Sequence, residues 1–223
     1  MNWIAELYDL YEKNKSQAGR QTEEGTILLP LYHTTVAAQV TVELDGEGNF
    51  LGAEIVPEED KLTLIPVTEE SASRTANPTP HPLCDNLEYL AGDYESYATG
   101  KKCGEKHALY MEKLEKWVYS PFSHPKAEAV YRYLLNNSLM GDLLACGVLQ
   151  AEEDGRITEK RKLQIVPQTK AFVRFRIEDG RMMDRSILTD ESGAYTDKCW
   201  KDGTLQKSYI DYCAAGKEQA GLA

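Results

Sequence analysis

Several features that would settle the chain's class at once are missing. No apolar run approaches the roughly 20 residues that a membrane-crossing helix needs, so no membrane segment is expected. Five cysteines (Cys84, Cys103, Cys146, Cys199, Cys213) form no CxxC pair, and the opening MNWIAELYDLYEKNK has no signal-peptide pattern. Both point to free thiols in a reducing cytoplasm. The GxxxxGK(S/T) order of a phosphate-binding Walker loop is absent; the nearest segment, GKKCGEKH, places Lys101, Lys102, Lys106 and His107 before a helix. It reads as a solvated turn or, functionally, as a phosphate contact at the helix N-terminus. Cys103 and His107 stand four apart with no second pair at matching spacing, so neither a metal nor another cofactor is expected.

Catalytic material is equally thin. Four histidines and scattered acids form no nucleophile and base arrangement. Cys84 reads as a small buried apolar residue, and Asp85 and Glu88 as cap and surface groups. The chain is therefore expected to be no enzyme. A positive excess is missing too: the formal charge is −11, which would ordinarily argue against nucleic acid. That average hides an asymmetry, because residues 1–70 hold 14 acids against 4 bases while residues 71–223 hold 22 against 21. Between Arg156 and Arg176 seven bases (Arg156, Lys160, Arg161, Lys162, Lys170, Arg174, Arg176) face Glu159 alone. Such a patch can hold phosphate on an acidic chain.

What is present is a mixed pattern of helix and strand periods. At 223 residues the chain is long enough to bury roughly 70% of its unfolded surface by packing alone. Trp3, Ile4, Leu7, Tyr8, Leu10 and Tyr11 recur at helical spacing. Val36, Ala38, Val40, Val42 and Leu44 then alternate, and the turn DGEGN leads into FLGAEIV. With a third strand over Lys61–Val67, residues 26–67 are expected to form an antiparallel meander whose apolar face receives the first helix. After a proline-spaced loop, Asp85 or Asn86 caps a helix, and others are expected from Glu105 to Tyr119, from Ser123 or Pro125 to Asn136, and from Ser138 to Gly147. Strand character returns at Leu163–Val166 and Lys170–Ile177, with Lys170, Phe172, Arg174 and Arg176 on an exposed basic face. A last helix is expected over Thr204–Ala214, before a small-residue tail, AAGKEQAGLA, that suggests a longer parent chain. The expected class is α+β, in three parts: an acidic helix and meander over 1–70, a loop and helices over 71–150, and basic strands with a final helix over 151–223.

Two groups of residues are candidates for binding. The loop from Ser71 to Tyr94 gathers Arg74, Thr75, Asn77 and His81, whose side chains can address base edges in a DNA groove. Prolines at 78, 80 and 82 push the residues before them toward extended geometry, so the loop is stiff; the plainer reading is a connector whose polar groups cap their own turns. Lys160, Arg161, Lys162, Lys170, Arg174 and Arg176, interleaved with Gln164, Gln168 and Phe172, combine charge, polar and stacking groups for a phosphate backbone. Their plainer reading is a solvated strand face or a contact with a neighbouring subunit. Gln164 and Gln168 flank the turn at Pro167, a position from which a wedge could enter a duplex.

The start WIAELYDLYEKN, the segment LLPLYHTTVAAQVTVELDGEGNFLGAEIV, the loop SRTANPTPHPLCDNLEYLAGDY, the strand FVRFRIEDG and the aromatic helix with Tyr209 and Tyr212 together resemble, in order, the N-terminal part of the large subunit of type I-C CRISPR surveillance complexes (Cascade), the Csd family. The resemblance implies a non-catalytic effector subunit that recognises the protospacer-adjacent motif (PAM) in double-stranded target DNA and helps start unwinding for guide RNA pairing. It further implies partners: the 5′ handle of the guide RNA, other Cascade subunits, the helicase-nuclease recruited after R-loop formation, and anti-CRISPR inhibitors. On it, Arg74, Thr75, Asn77 and His81 are candidates for motif reading, and Lys101, Lys102, Lys160, Arg161, Lys162, Gln164, Gln168, Lys170, Arg174 and Arg176 for the nucleic-acid backbone. From other classes, an interaction scaffold without DNA contact and a hydrolase lobe needing a further C-terminal part are the alternatives.

Overall fold

The alternating run from Val36 to Leu44 becomes two strands with a knuckle between them. The computed structural model describes residues 3–14, 29, 33–68, 71, 78–98, 103–178 and 203–219. Strand β1 (His33–Ala37) and β2 (Val40–Asp45) are divided at Ala38 and Gln39. Gln39 is buried there, and its side chain accepts from Phe172 N (2.8 Å) and donates to Ala37 O (2.9 Å), so the break leaves that amide paired. β2 turns back into β3 (Phe50–Ile55) as the expected antiparallel hairpin. The expected third strand exists as β4 (Leu62–Pro66) but pairs with β1 in a separate two-stranded ribbon. The free edge of β2 is taken instead by β8 (Phe172–Glu178), in parallel register from Val40↔Val173 to Asp45↔Glu178. With the short β5 (Asp85–Asn86) beyond it, the sheet order is β3-β2-β8-β5, a mixed sheet where a local meander was expected. Periodicity identifies strands; it does not choose partners.

The hairpin turn is tied down on both sides. Asp45 accepts from the N–H groups of Glu47 and Asn49 (2.9 and 2.8 Å), and the Asn49 amide, its largest influence, holds the Asp45 carboxyl below its usual range. Arg132 donates to the Gly46 and Glu47 carbonyls (2.8 and 3.0 Å), docking the turn on helix α5 (Pro125–Leu134). Gly48 has φ +84°, and a Cβ there would stand 2.5 Å from the Ala129 carbonyl oxygen. Gly48→Ala is therefore expected to cost about 2 kcal/mol, from left-handed strain and a clash with backbone, measured as a lowered urea midpoint.

Helices cover the apolar side of the sheet. Val40, Val42, Leu44, Val173, Phe175 and Ile177 are buried, and Tyr133 of α5 meets Phe50 and Phe175 ring to ring (centroids 6.0 and 6.3 Å). Asn86 caps the short α2 (Leu87–Leu90), accepting from Glu88 N, as one of the two expected caps. Next come α3 (Tyr94–Tyr97), α4 (Gly104–Val118) and, after α5, α6 (Leu139–Ala145). His124, rather than Ser123, caps α5 through its ring nitrogen and Lys126 N (3.2 Å), leaving the Ser123 hydroxyl to donate to Glu128 (2.7 Å). The last helix, α7 (Gly203–Gln219), is longer than expected and docks through buried Leu205 and through Tyr209 against Trp117. The first helix, α1 (Trp3–Asn14), does not supply the sheet's cover: Leu7, Tyr8 and Leu10 are 51%, 60% and 59% exposed, because α5 already occupies the apolar face. No helix among the described residues is long and apolar enough to cross a membrane.

Candidate nucleic-acid interface

The basic stretch opens on a short hairpin where a strand over Leu163–Val166 was expected. β6 (Lys162–Leu163) and β7 (Val166–Pro167) form a two-residue-turn hairpin, with Lys162 opposite Pro167 and Leu163 opposite Val166. Gln164 makes the turn with φ +56°, in the left-handed region, and its side-chain amide donates to Val56 O (2.7 Å) at the end of β3. Ile165 occupies the tip and is 80% exposed.

Beneath the hairpin lies a polar anchor. Gln168 is 2% exposed; its amide oxygen accepts from Gln150 N (3.0 Å) and its nitrogen donates to Gln150 O (2.9 Å) and Thr158 O (3.4 Å). The backbone N–H of Gln168 donates to Arg161 O (3.0 Å). Gln168 therefore holds three pieces of the segment together and has no face left for a ligand. Tyr94 donates to Thr169 O (3.2 Å), and burial pushes its phenol well above its ordinary range, so it stays a donor. On the far side Ile157, fully buried, bridges to Ala98 and donates to Tyr97 O (2.8 Å), while Arg156 spends its guanidinium on the carbonyls of Glu95 and Ser96 (3.2 Å each).

The structure sorts the cations. Lys160 and Lys162 are exposed and pair with no described carboxylate. Arg161 is also exposed but returns to Glu152 (3.6 Å) and to the Gln150 amide, and Lys170 pairs with Glu159 (3.0 Å). Glu152 lies before the stretch counted as basic, so the local charge is lower than linear counting gives.

The exposed basic face expected for β8 is overturned. Arg174 is 1% exposed: Nε donates to Thr41 Oγ1, Nη1 to Asp60 O and Thr63 Oγ1 (3.0 Å each), and Nη2 pairs with Asp60 Oδ2 at 2.9 Å. Arg176, 8% exposed, pairs with Glu43 and with Glu54 (3.0 Å). The polar side of the sheet thus closes on itself, β2 and β3 supplying acids while Thr63 of β4 and the 3-10 turn at Glu58–Asp60 close over Arg174. Neither guanidinium is presented to a phosphate.

The proline loop is also more buried than a contact surface requires. Arg74, Thr75 and Asn77 lie outside the described residues, as do Lys101 and Lys102. Of the described part, Thr79, Pro80, His81, Leu83, Cys84 and Asp85 are all buried. His81 donates its backbone N–H to Asp85 Oδ2 (2.7 Å) and lines a small cleft with Tyr110, Lys113, Leu114, Trp117 and Tyr209. It therefore faces the interior rather than a groove edge. Asp85 also accepts from Asn86 N (2.7 Å), and Glu88, buried, pairs with Lys106; that bond, foremost, raises the Lys106 pKa. Burial, foremost, pushes the Cys84 thiol up, which suits an inert core residue. Cys103 precedes α4, where Glu95 accepts from the N–H groups of Cys103 and Gly104 (2.9 and 3.1 Å), and His107 Nδ1 lies 3.0 Å from Tyr89 O. These contacts are ties between elements.

Against known families, the model described as CRISPR-associated protein (Cas_Csd1) matches residues 7–222. A search of curated proteins found no match.

Proposed function

This chain belongs to the CRISPR-associated Cas_Csd1 family, and from that premise we propose that it is the N-terminal part of the large subunit of a type I-C effector complex. In this reading it is non-catalytic: it binds PAM-bearing double-stranded DNA, starts its opening, and meets the 5′ handle of the guide RNA and neighbouring Cascade subunits. The helicase-nuclease then acts on the opened target. A guide-directed complex delegates most sequence readout to base pairing, so its protein needs a small motif reader and a backbone clamp. The observation that carries the clamp is the pair Lys160 and Lys162, exposed and without a described acid, one just before and one on a hairpin braced by Gln168. Arg161, exposed with one acidic neighbour, joins them. Arg74, Thr75 and Asn77 are proposed for motif reading on the family resemblance; Arg174 and Arg176 are assigned to the fold.

The test is the salt dependence of duplex binding by the assembled complex. Each lost phosphate contact reduces the slope of log K against log salt by about 0.9, so Lys160→Ala, Arg161→Ala and Lys162→Ala together are expected to lower it by roughly 2 to 3. An unchanged slope would reject the clamp. It would favour the second reading, a scaffold for other subunits, which one observation supports: α1 leaves Leu7, Tyr8 and Leu10 uncovered along one short helix.

A further inference from the structure

We propose that the outer edge of β3 is a docking site for an extended segment of another protein, one that alternates apolar and basic residues and joins the sheet as a further strand. This inference stands apart from the nucleic-acid reading. The sheet order β3-β2-β8-β5 leaves β3 at one end, with no described strand beyond it. Val56 N donates inward to Gln39 O, so residues of the same parity, Glu54 and Gly52, bond to β2, and Ala53 and Ile55 turn their N–H and C=O groups outward. Edge strands are ordinarily blunted by Lys, Pro or a bulge. β3 contains neither Lys nor Pro, and its irregularity sits at Leu51, next to the turn, so residues 52–55 keep plain register. Leu51 and Ile55, both apolar, are exposed along it.

The charge beside this edge selects the occupant. Residues 43–60 hold seven acids and no base. On the polar side of the sheet Glu43 and Glu54 each give one oxygen to the same guanidinium, that of Arg176, so two carboxylates share a single cation. Neither is sealed in. The Glu54 side chain is 48% exposed, and the second oxygen of Glu43 lies 3.9 Å from the place a Cβ would take at Gly52, a position with no side chain to cover it. A Lys or Arg opposite Gly52 or Glu54 on an added strand meets that surplus negative charge, while residues opposite Ala53 and Ile55 fall on the apolar side. In strand addition the main-chain hydrogen bonds give affinity and the alternating side chains choose the partner. The same acids repel a nucleic-acid backbone and a second copy of this edge.

The probes are a labelled peptide, Val-Lys-Val-Lys-Val-Lys-Val, and its Glu counterpart, titrated against the full chain by fluorescence anisotropy. The Lys peptide is expected to bind more tightly than the Glu peptide by about 10-fold or more, and Glu54→Gln, which keeps a partner for Arg176 but removes the charge, to narrow that ratio to about threefold. In residue-resolved hydrogen exchange the Lys peptide is expected to slow the Ala53 and Ile55 amides by about 10-fold or more and to leave those of Gly52 and Glu54, already in the ladder, nearly unchanged. Ala53→Pro deletes only the outward donor, a change edge strands tolerate, and is expected to weaken the Lys peptide by about 10-fold while the circular dichroism spectrum is kept. Should that variant fail to fold, the exchange pattern of the unaltered chain decides. Equal affinity for the two peptides, or exchange slowed anywhere but at the two outward amides, would overturn the proposal. So would Lys-peptide binding that a folded Ala53→Pro chain retains, which is adhesion to an acidic surface. A concentration-dependent dimer that Ala53→Pro abolishes in sedimentation would also overturn it, giving the edge to a second copy.

Discussion

An Arg174→Ala variant is expected to lose about 3 kcal/mol of folding stability while leaving the salt dependence of duplex binding unchanged in the folded fraction. The guanidinium is almost wholly enclosed and its hydrogen bonds go inward, to Thr41, Thr63 and both the carbonyl and carboxylate of Asp60. Removing it opens a cavity between β8 and the β1/β4 ribbon and strips the acid of its partner. Breaking a buried ion pair costs about 3 to 5 kcal/mol; the low end applies because the Asp60 side chain is 33% exposed and regains some water. Arg174→Lys keeps the charge but cannot reproduce a planar fork that meets four acceptors, so it is expected to recover only part of the loss. Guanidinium chloride unfolding with an unchanged m-value measures the effect. A loss below about 1 kcal/mol would mean that the fork does not hold the ribbon. A reduced salt slope in the folded variant would restore the phosphate role that burial takes away.

Trp117→Ala is expected to be at least as damaging, at about 3 to 5 kcal/mol, because it removes the largest fully buried side chain among the described residues and the joint for α7. The indole N–H donates to Phe122 O (3.2 Å) and lies 3.0 Å from the Ser208 hydroxyl, and Tyr209 meets the ring edge-on at 5.0 Å. Ser208 itself donates to Phe122 O, so one carbonyl gathers the turn after α4 and the last helix. Trp117→Phe keeps most of the volume and loses the donor, and is expected to cost about 1 to 2 kcal/mol, the range for a buried acceptor left short of a partner. Hydrogen exchange over residues 203–219 separates the two effects: the alanine variant is expected to release protection there below the global unfolding energy, the phenylalanine variant to keep it. Equal protection in both would show that α7 is held by other contacts.

Elements were more legible in the sequence than their assembly. Asn86 and Pro125 marked helix starts correctly, and the DGEGN turn announced its hairpin, because caps and turns are local chemistry. Leu163–Val166 read as a strand because three of its four residues are apolar; the chain instead doubles back at Gln164 and Ile165, where no Gly or Asn gave warning. In the candidate interface, the exposed lysines 160 and 162 followed from composition alone. Gln168 was expected at the surface and is an internal brace, since a side chain with both donor and acceptor can be buried wherever backbone groups need closing. His81 belongs to the interior for a related reason: the prolines that stiffen its loop also pack it against α4 and α7.

By itself, then, the sequence determined the α+β alternation, the boundaries of the middle helices to within a few residues, and a cationic segment on an acidic chain, all consequences of local spacing. Only the tertiary structure decided that β8 slides in beside β2, that Asp60, 114 residues before Arg174 in the chain, neutralises it, and that Glu152 and Glu159 fold back on Arg161 and Lys170. The reason is that alternation tells which side chains share a face of a strand, while what covers that face, water or a carboxylate from a distant loop, depends on partners that no local pattern encodes.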